Sequence, residues 1–442
     1  LSAAWLIIVN AIFFLAMLLY IACMFRATAI LLLSIFSLSA QAQKIIKGKV
    51  VNAETGAPVP GSSVFVTNTS KGTTADSNGQ FELTDVPAGK HELVISSIGY
   101  ETNVFSFSDD QLPLLLKVVM HIKVKELSNV TVEPSLEEGW NKWGKMFSDN
   151  FIGTTDNSMH CRIKNTDAIK FRFFKKSNRV IAYADEPLVI ENKALGYTIR
   201  YQLENFEVNF KEKTTFFLGY SLFEDQTKEG KEPKNKWERR RDEAYKGSTM
   251  HFMQSLYNNR IKEEGFEVRR MVRTPNYEKE RIRKLYSRSK TLQTEKMGGM
   301  TIKVTGPTID APADSISYYE RILQQEDVID TYGPDIIGAD SLVVKSEGLY
   351  KVIYFDNYLY ITYKKELEEG SYLKHIWQTN RRPAFQRSHV FLVNENPITV
   401  DQKGNYYNPQ DFFTSGYWGW SEKISNLLPI DYELRGDDDV KR

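Results

Sequence analysis

The sequence predicts a multidomain, mainly β protein: a seven-strand β-sandwich first, then an α+β domain built around an antiparallel meander. Three observations lead there. The chain has 442 residues, long for one hydrophobic core and suited to two or three domains. From Lys44 to Val132, short alternating runs recur at roughly ten-residue spacing between turn-rich stretches, the rhythm of an all-β unit. Beyond Trp140, helical spacing and strand alternation interleave. The composition, 42% hydrophobic and 26% charged, is that of a globular protein.

Residues 1–42 hold one charged side chain, Arg26. Met24-Phe25-Arg26, the apolar run Ala29–Leu38 and Ala40-Gln41-Ala42 stand in the order of an n-region, an h-region and a cleavage site. Residues 24–42 are therefore expected to be a signal peptide and the mature chain to begin at Gln43. The run after Arg26 falls short of the about 20 apolar residues a spanning helix needs. Residues 1–23 are expected to be an apolar upstream extension or a membrane segment. Export to the periplasm or the outer membrane follows, with anchoring if residues 1–23 are native. The mature chain keeps Cys161 alone, which rules out an internal disulfide framework. Lys and Arg number 57 against 56 Asp and Glu. That balance lacks the basic footprint of general nucleic-acid binding.

Within residues 43–132, Ile46–Val51, Ser63–Val66, Phe81–Leu83, His91–Ser97, Leu114–Met120 and Leu127–Val132 read as strands. Asn52–Pro60 and Val86–Lys90 are turn-rich, and Asn78-Gly79 gives the strongest short-range hairpin signal, since both residues tolerate positive φ. The turns Glu54–Gly61, Gly72-Thr73-Thr74, Asn78–Phe81, Val86–Gly89 and Ile98–Glu101 together resemble the carboxypeptidase-regulatory-like, transthyretin-like (Ig-like) sandwich common in envelope proteins of Bacteroidetes-type bacteria. The family name does not imply peptidase chemistry. None of the six histidines is followed three residues later by Glu or Asp, so the usual His-x-x-Glu zinc pair is absent.

Acidic Glu133–Gly139, with Pro134, is expected to be a linker, and 140–435 the α+β domain, closed by a polar tail at 436–442. Trp140–Phe151 reads as a helix. Ala168–Phe174, Arg179–Ala184, Leu188–Ile190, Gly196–Leu203, Phe206–Lys211 and Thr215–Leu222 read as the meander. Trp237–Asn258 reads as a helix that Gly247 kinks. Residues 260–290 carry eleven Lys/Arg against five Glu, expected as a solvated face because acids are interleaved. Gly298–Asp314 reads as a loop and Ile316–Gln325 as a helix, with strands at 342–344, 349–355, 358–364, 384–394 and 398–400 and a hairpin turn at Asp356-Asn357. Asn192–Tyr201, Ala244–Ser248, Glu264-Gly265-Phe266 and the closing Leu427–Tyr432 resemble the roughly 400-residue regulatory-domain proteins of those bacteria. As a group these have no assigned activity, so the resemblance implies fold and location alone.

Chemistry is sparse. Ser248 with His251 is the nearest approach to a nucleophile and base, but no oxyanion donor is indicated. His160-Cys161 on a strand point to opposite faces. Asp310, Asp314 and Asp340 fit no calcium-loop spacing. Tyr406, Tyr407, Tyr417, Trp418 and Trp420 offer a possible sugar-stacking platform, against the competing expectation that they pack the C-terminal segment onto the meander. No catalytic residue, cofactor or metal is expected. The sequence therefore points to a non-enzymatic binding or scaffolding protein of the cell envelope, its sandwich a docking module and its second domain contacting a protein or glycan. An accessory of TonB-dependent uptake and an envelope hydrolase with its site in the second domain are the alternatives. A hydrolase should show a cleft with two or more convergent titratable groups, and a glycan binder exposed, coplanar Trp418 and Trp420.

Overall fold

The computed structural model describes residues 44–123, 134–229, 234–288, 293–297, 300–304 and 313–434, with Met17 and Met24. The leader beyond Met24, the strand expected at 127–132, Asp310 and the polar tail lie outside the described residues. Among those described, no helix is long and apolar enough to cross a membrane.

The first unit has seven strands in two sheets. β1 (Ile46–Asn52), β4 (Gln80–Leu83) and β7 (Leu114–Met120) form one, in the order β4-β1-β7. β2 (Ser63–Val66), β3 (Gly72–Thr74), β5 (Lys90–Ser96) and β6 (Asn103–Ser108) form the other, in the order β3-β2-β5-β6. Alternation is plain in β4, where Phe81 and Leu83 are buried and Gln80 and Glu82 exposed. The inward side chains of both sheets, Ile46, Val64, Phe81, Leu93 and Met120 among them, make the first core. β1 and β7 run parallel, in register from Ile46↔Leu114 to Asn52↔Met120. The Asn78-Gly79 turn corrects an expectation: it joins no hairpin. Its flanking strands belong to different sheets, and the Gly79 carbonyl accepts the Val50 N–H at 2.8 Å, pinning the crossover.

The expected linker is partly a strand. β8 (Ser135–Glu138) pairs antiparallel with β10, so the charged segment satisfies its backbone in the sheet. With β9 (Cys161–Ile163), β10 (Ile169–Phe174), β11 (Arg179–Ala184), β12 (Leu188–Asn192) and β13 (Tyr197–Asn209) it gives the order β8-β10-β11-β13-β12-β9, and β14 (Thr214–Asp225) pairs with β13. The two strands expected at 196–211 are one, because a register shift between Leu203 and Asn205 absorbs the break in alternation. Helix α1 (Trp140–Phe151) lies on this sheet. Its Phe147 and Phe151 are fully buried against Phe171, Phe206 and Tyr201.

The expected long helix is two, α2 (Lys234–Tyr245) and α3 (Thr249–Tyr257). Gly247 sits at φ 73°, a left-handed position where a β-carbon would also meet the Gln386 Oε1 at 2.6 Å. Ser248 then caps α3 by accepting the His251 N–H. The chain continues through β15 (Phe266–Pro275), α4 (Tyr277–Arg288), the hairpin β16 (Gln293–Met297) and β17 (Met300–Val304), α5 (Ala313–Leu323) and β18 (Val328–Ile336). Part of the loop expected at 298–314 is therefore strand. β19 (Val343–Glu347), β20 (Tyr350–Ile353), β21 (Tyr358–Leu367), α6 (Gly370–His375), β22 (Phe385–Leu392), β23 (Ile398–Asp401), β24 (Tyr406–Tyr407), β25 (Phe412–Gly416) and α7 (Tyr417–Ser421) follow. They form the sheets β18-β15-β21-β22-β25 and β19-β20-β23-β24 over a core that includes Phe252, Phe266, Ile361, Val390 and Trp418. Asp356-Asn357 is not a hairpin turn either: it carries the chain between these two sheets, with Phe355 buried beneath.

The basic stretch is laced with ion pairs, Arg260–Glu264, Arg269–Glu267, Arg270–Asp356, Arg273–Asp330 and Arg281–Glu278. Acids interleaved in the stretch and acids from neighbouring segments thus pair with its basic side chains.

Candidate functional site

The sandwich is fastened to the rest of the chain at its β2–β3 turn. Asn68 takes the left-handed conformation, φ 59°, which turns its backbone toward β14. Its N–H donates to the Ser221 carbonyl at 2.7 Å, and the Phe223 N–H donates to the Thr69 carbonyl at 2.9 Å. Thr69 and Leu222 thereby form a short parallel bridge between the two bodies. Ser221 Oγ donates to Asn68 Oδ1 at 2.8 Å. From the C-terminal segment, the Ile430 N–H donates to the Asn68 carbonyl at 2.7 Å. The Asp431 carboxylate accepts the Ser70 N–H at 3.0 Å and the Ser70 hydroxyl at 2.7 Å. A small apolar cluster of Phe65, Val94 and Leu222 seals the contact. Tyr407 Oη donates to the Lys90 carbonyl at 2.7 Å, with Asp401 Oδ2 3.1 Å away. One hydroxyl proton cannot serve both acceptors fully, and burial pushes the Asp401 carboxyl above its ordinary range.

Beside this clasp lies a cleft of about 810 Å³ walled by both bodies. Ser63, Thr73 and Thr102 line it from the sandwich, and Asn165, Arg200 and Gln202 from the meander. The lining mixes hydroxyl, amide and charged groups with the apolar side chains of Phe65, Ile98, Tyr100, Leu222 and Phe223.

A second cavity, about 840 Å³, opens where α2, the end of β21, β22 and α7 converge, between the meander core and the last core. Glu366 Oε2 accepts from Gln386 Nε2 at 3.3 Å. Glu369 accepts from the Tyr417 hydroxyl at 3.0 Å and from Ser371 Oγ at 3.2 Å. Burial pushes the Glu366 carboxyl up to about 6, with Glu243 and Glu369 adding to the rise, while Gln386 and Lys246 oppose it. Glu369 is raised for the same first reason, aided by Asp156 and Glu243. Gln386, 6% exposed, has its Oε1 without a hydrogen-bond partner. Sequence reasoning missed Glu366, Glu369 and Gln386: the two carboxyls lie three apart at a strand end, a pattern with no motif attached, and Gln386 reaches them only through the fold, as does Tyr417, which the sequence singled out for sugar stacking.

Of the residues singled out in the sequence, Tyr417, Ser248 and His160 border this cavity, and the others are placed elsewhere. Tyr417, Trp418 and Trp420 are 5%, 3% and 3% exposed, and Tyr406 packs half-buried against the same core. Trp418 Nε1 donates to the Gly247 carbonyl at 2.7 Å, and Trp420 Nε1 donates to Thr154 Oγ1 at 2.9 Å. Their rings are largely spent on packing, with Tyr406, Trp418 and Trp420 also bordering a cavity of about 620 Å³, so the five do not form one open stacking surface, and Tyr407 belongs to the clasp. Ser248 Oγ is committed as the α3 cap. His251 Nδ1 accepts the Gly247 N–H at 3.1 Å, and burial pushes this imidazole down to about 4. Burial raises the Cys161 thiol to about 12, far from a thiolate at neutral pH. Asp340 is exposed on a short 3-10 turn. Among the described residues no three His, Cys, Asp or Glu side chains converge closely enough to hold a metal ion.

The two-sheet first unit defines a transthyretin-like sandwich. Residues 46–132 match the family described as a CarboxypepD_reg-like domain, so that domain is present in this chain, over about a fifth of its length. No curated protein matches the chain. Among solved structures, an interface mutant of a type II cohesin–X–dockerin complex from Acetivibrio cellulolyticus is similar over 18% of this chain, at 22% identity and a TM-score of 0.16. That match spans 57% of the other chain, little more than half. A membrane-associated protein of unknown function from Bacteroides fragilis is similar at 9% identity and a TM-score of 0.14, over 80% of this chain and 92% of that one. The Bacillus anthracis TIE protein gives 11% identity and a TM-score of 0.15, over 42% of this chain and 32% of that one. Scores this low define no shared overall fold, and nothing about partners follows from them.

Proposed function

We propose that the chain is a non-catalytic binding or scaffolding protein of the cell envelope, whose ligand lies in the cleft between the sandwich and the meander. One observation carries this reading. The Asn68–Ser70 turn is bonded to β14 and to Asp431, so both walls of the cleft are held at a fixed separation. Clefts between domains are frequent ligand sites, and a pre-set one avoids the entropic cost of ordering its walls on binding. The sandwich then acts as a wall of the site, not as a tethered spacer. Its hydroxyl and amide groups, set among apolar side chains such as Ile98 and Tyr100, suit an extended envelope polymer that offers both hydrogen bonds and apolar faces, a glycan strand or a peptide. The envelope setting is supported by the leader pattern at 24–42.

The test uses the mature full chain on arrays of envelope glycans and envelope-protein peptides, beside a Thr73→Trp variant that fills the cleft from its half-buried strand. Saturable binding that Thr73→Trp removes, with the melting temperature kept, is the expected result. Equal binding by both proteins, or none by either, overturns the proposal. Mass spectrometry of the exported protein should place its N-terminus at Gln43, and recovery of peptides from residues 1–23 would count against the leader.

The envelope-hydrolase reading has one observation in its favour, the convergence of Glu366 and Glu369 on a cavity with both carboxyls raised. Release of reducing ends or new amines from the array ligands would move the assignment there.

A further inference from the structure

We propose that the cavity between the meander core and the last core binds an organic cation, a chain bearing primary ammonium or guanidinium groups, received by Glu366 and Glu369 beside Tyr417. This goes beyond the junction cleft and uses a separate set of residues. The inner wall offers acceptors in excess of donors. A carboxylate has about four lone-pair positions. Glu366 uses one, on Gln386, and Glu369 uses two, on Tyr417 and Ser371. Gln386 adds a buried oxygen with no donor. Buried acceptors without donors are costly, and a ligand rich in N–H groups supplies what this wall lacks.

The sign of the charge follows from what faces the two carboxyls. Glu366 meets Gln386 from β22, Glu243 from α2, Lys246 just beyond the end of α2, and Glu369 three residues on in its own segment. Glu369 meets Asp156, Glu243, Tyr417 and Ser371. Of the cations at the mouth, Arg239 and Lys246 are exposed and Arg240 is half-buried, and Arg239 is turned to Glu243 at 3.6 Å. Among the described residues no ion pair joins Lys246 to either carboxyl. A bare metal ion is a poor fit, since among the described residues no three ligating side chains converge. About 840 Å³ is the size of an organic-ligand site. Binding a cation favours the carboxylate, so it should expel the proton that burial holds on Glu366 below pH about 6.

Two sources share this chemistry, a free polyamine and a lysine- or arginine-rich protein segment. Titration calorimetry of the full mature chain with spermidine and with an acetylated, amidated tri-lysine peptide separates them. Saturable binding of either probe near neutral pH is expected, weakening about tenfold near pH 5 as Glu366 protonates, with proton release visible across buffers of different ionisation enthalpy. Glu366→Gln and Glu369→Gln should each weaken it about tenfold, the loss of one charged hydrogen bond. Leu367→Arg, at an exposed position on the cavity mouth, should do the same without touching the buried wall, which guards against misfolding of the Gln variants. Spermidine alone binding supports a small-molecule site, and the peptide alone supports a basic partner segment. The inference is overturned if neither probe saturates, if sodium at matched ionic strength competes as well as spermidine, or if all three folded variants bind like the wild type.

Discussion

Replacing Leu222 and Gly72 together tests whether the sandwich is truly seated on β14. Leu222 is 8% exposed and packs on Phe65 and Val94, which are 3% and 0% exposed. Leu→Ala in a core costs about 2–5 kcal/mol. This cluster is small, so Leu222→Ala is expected near the lower end, about 2–3 kcal/mol. Gly72 is in a strand and its backbone accepts alanine, yet a β-carbon there would lie 2.9 Å from both Leu222 methyls and 3.1 Å from the Phe65 Cβ. Carbon pairs prefer about 3.5–4.0 Å, so Gly72→Ala should overpack the seam by about 1–3 kcal/mol. With Leu222 shortened, the new methyl enters vacated space. The double variant should then cost at least about 1 kcal/mol less than the sum of the singles. Urea unfolding measures the totals, and amide exchange at Asn68 and Phe223, whose N–H groups cross the seam, reports whether the loss is local. Additivity within about 0.5 kcal/mol, with unchanged exchange at those amides, would refute the seating.

Three further outcomes follow from the same geometry. Asp431→Ala removes the acceptor of the Ser70 amide and hydroxyl; a loss of about 1–3 kcal/mol and faster exchange of the Ser70 amide are expected, and slow exchange there would contradict the clasp. Glu366 has a folded pKa of about 6 above an ordinary value of 4.5, so the native state holds the extra proton between them and wild-type stability falls as pH rises through that window. Glu366→Gln should thus be the more stable protein above pH 6, by about 1 kcal/mol after allowing for partial exposure, with the gap closing near pH 4; denaturant midpoints at both pH values decide it. Cys161, its thiol raised to about 12 by burial, should resist a disulfide reagent at neutral pH in the native protein and react on unfolding, and prompt native labelling would show the site is open.

Period and turn chemistry carried most of the elements into view. β1, β2, β4, β5 and β7 follow from two-residue alternation, and α1 from Trp140, Phe147 and Phe151 on one face. The errors share one physical origin. Asn78-Gly79 and Asp356-Asn357 announce a reversal, but the local chain does not encode whether the next strand pairs back or crosses to another sheet. The bulge beyond Leu203 and the strand made from Ser135–Glu138 depend on partners far along the chain. The platform reading failed for a related reason: Trp418 and Trp420 cluster in sequence whether they face solvent or a core, and the Gly247 and Thr154 acceptors that fix them inside lie roughly 170 and 270 residues away. The carboxyl pair was invisible because its meaning is burial, a property of the assembled cavity.

The parallel pairing of β1 with β7 has a mechanical consequence. β1 begins at Ile46 and β7 ends at Met120, so those two points sit at opposite ends of a single ladder. Tension along the polypeptide therefore pulls the two strands lengthwise past one another. All the cross-strand bonds of that ladder share the load at once instead of opening one after another, as they would if the pull came at one end of an antiparallel pair. A force applied between Ile46 and Met120 would therefore meet the whole ladder at once.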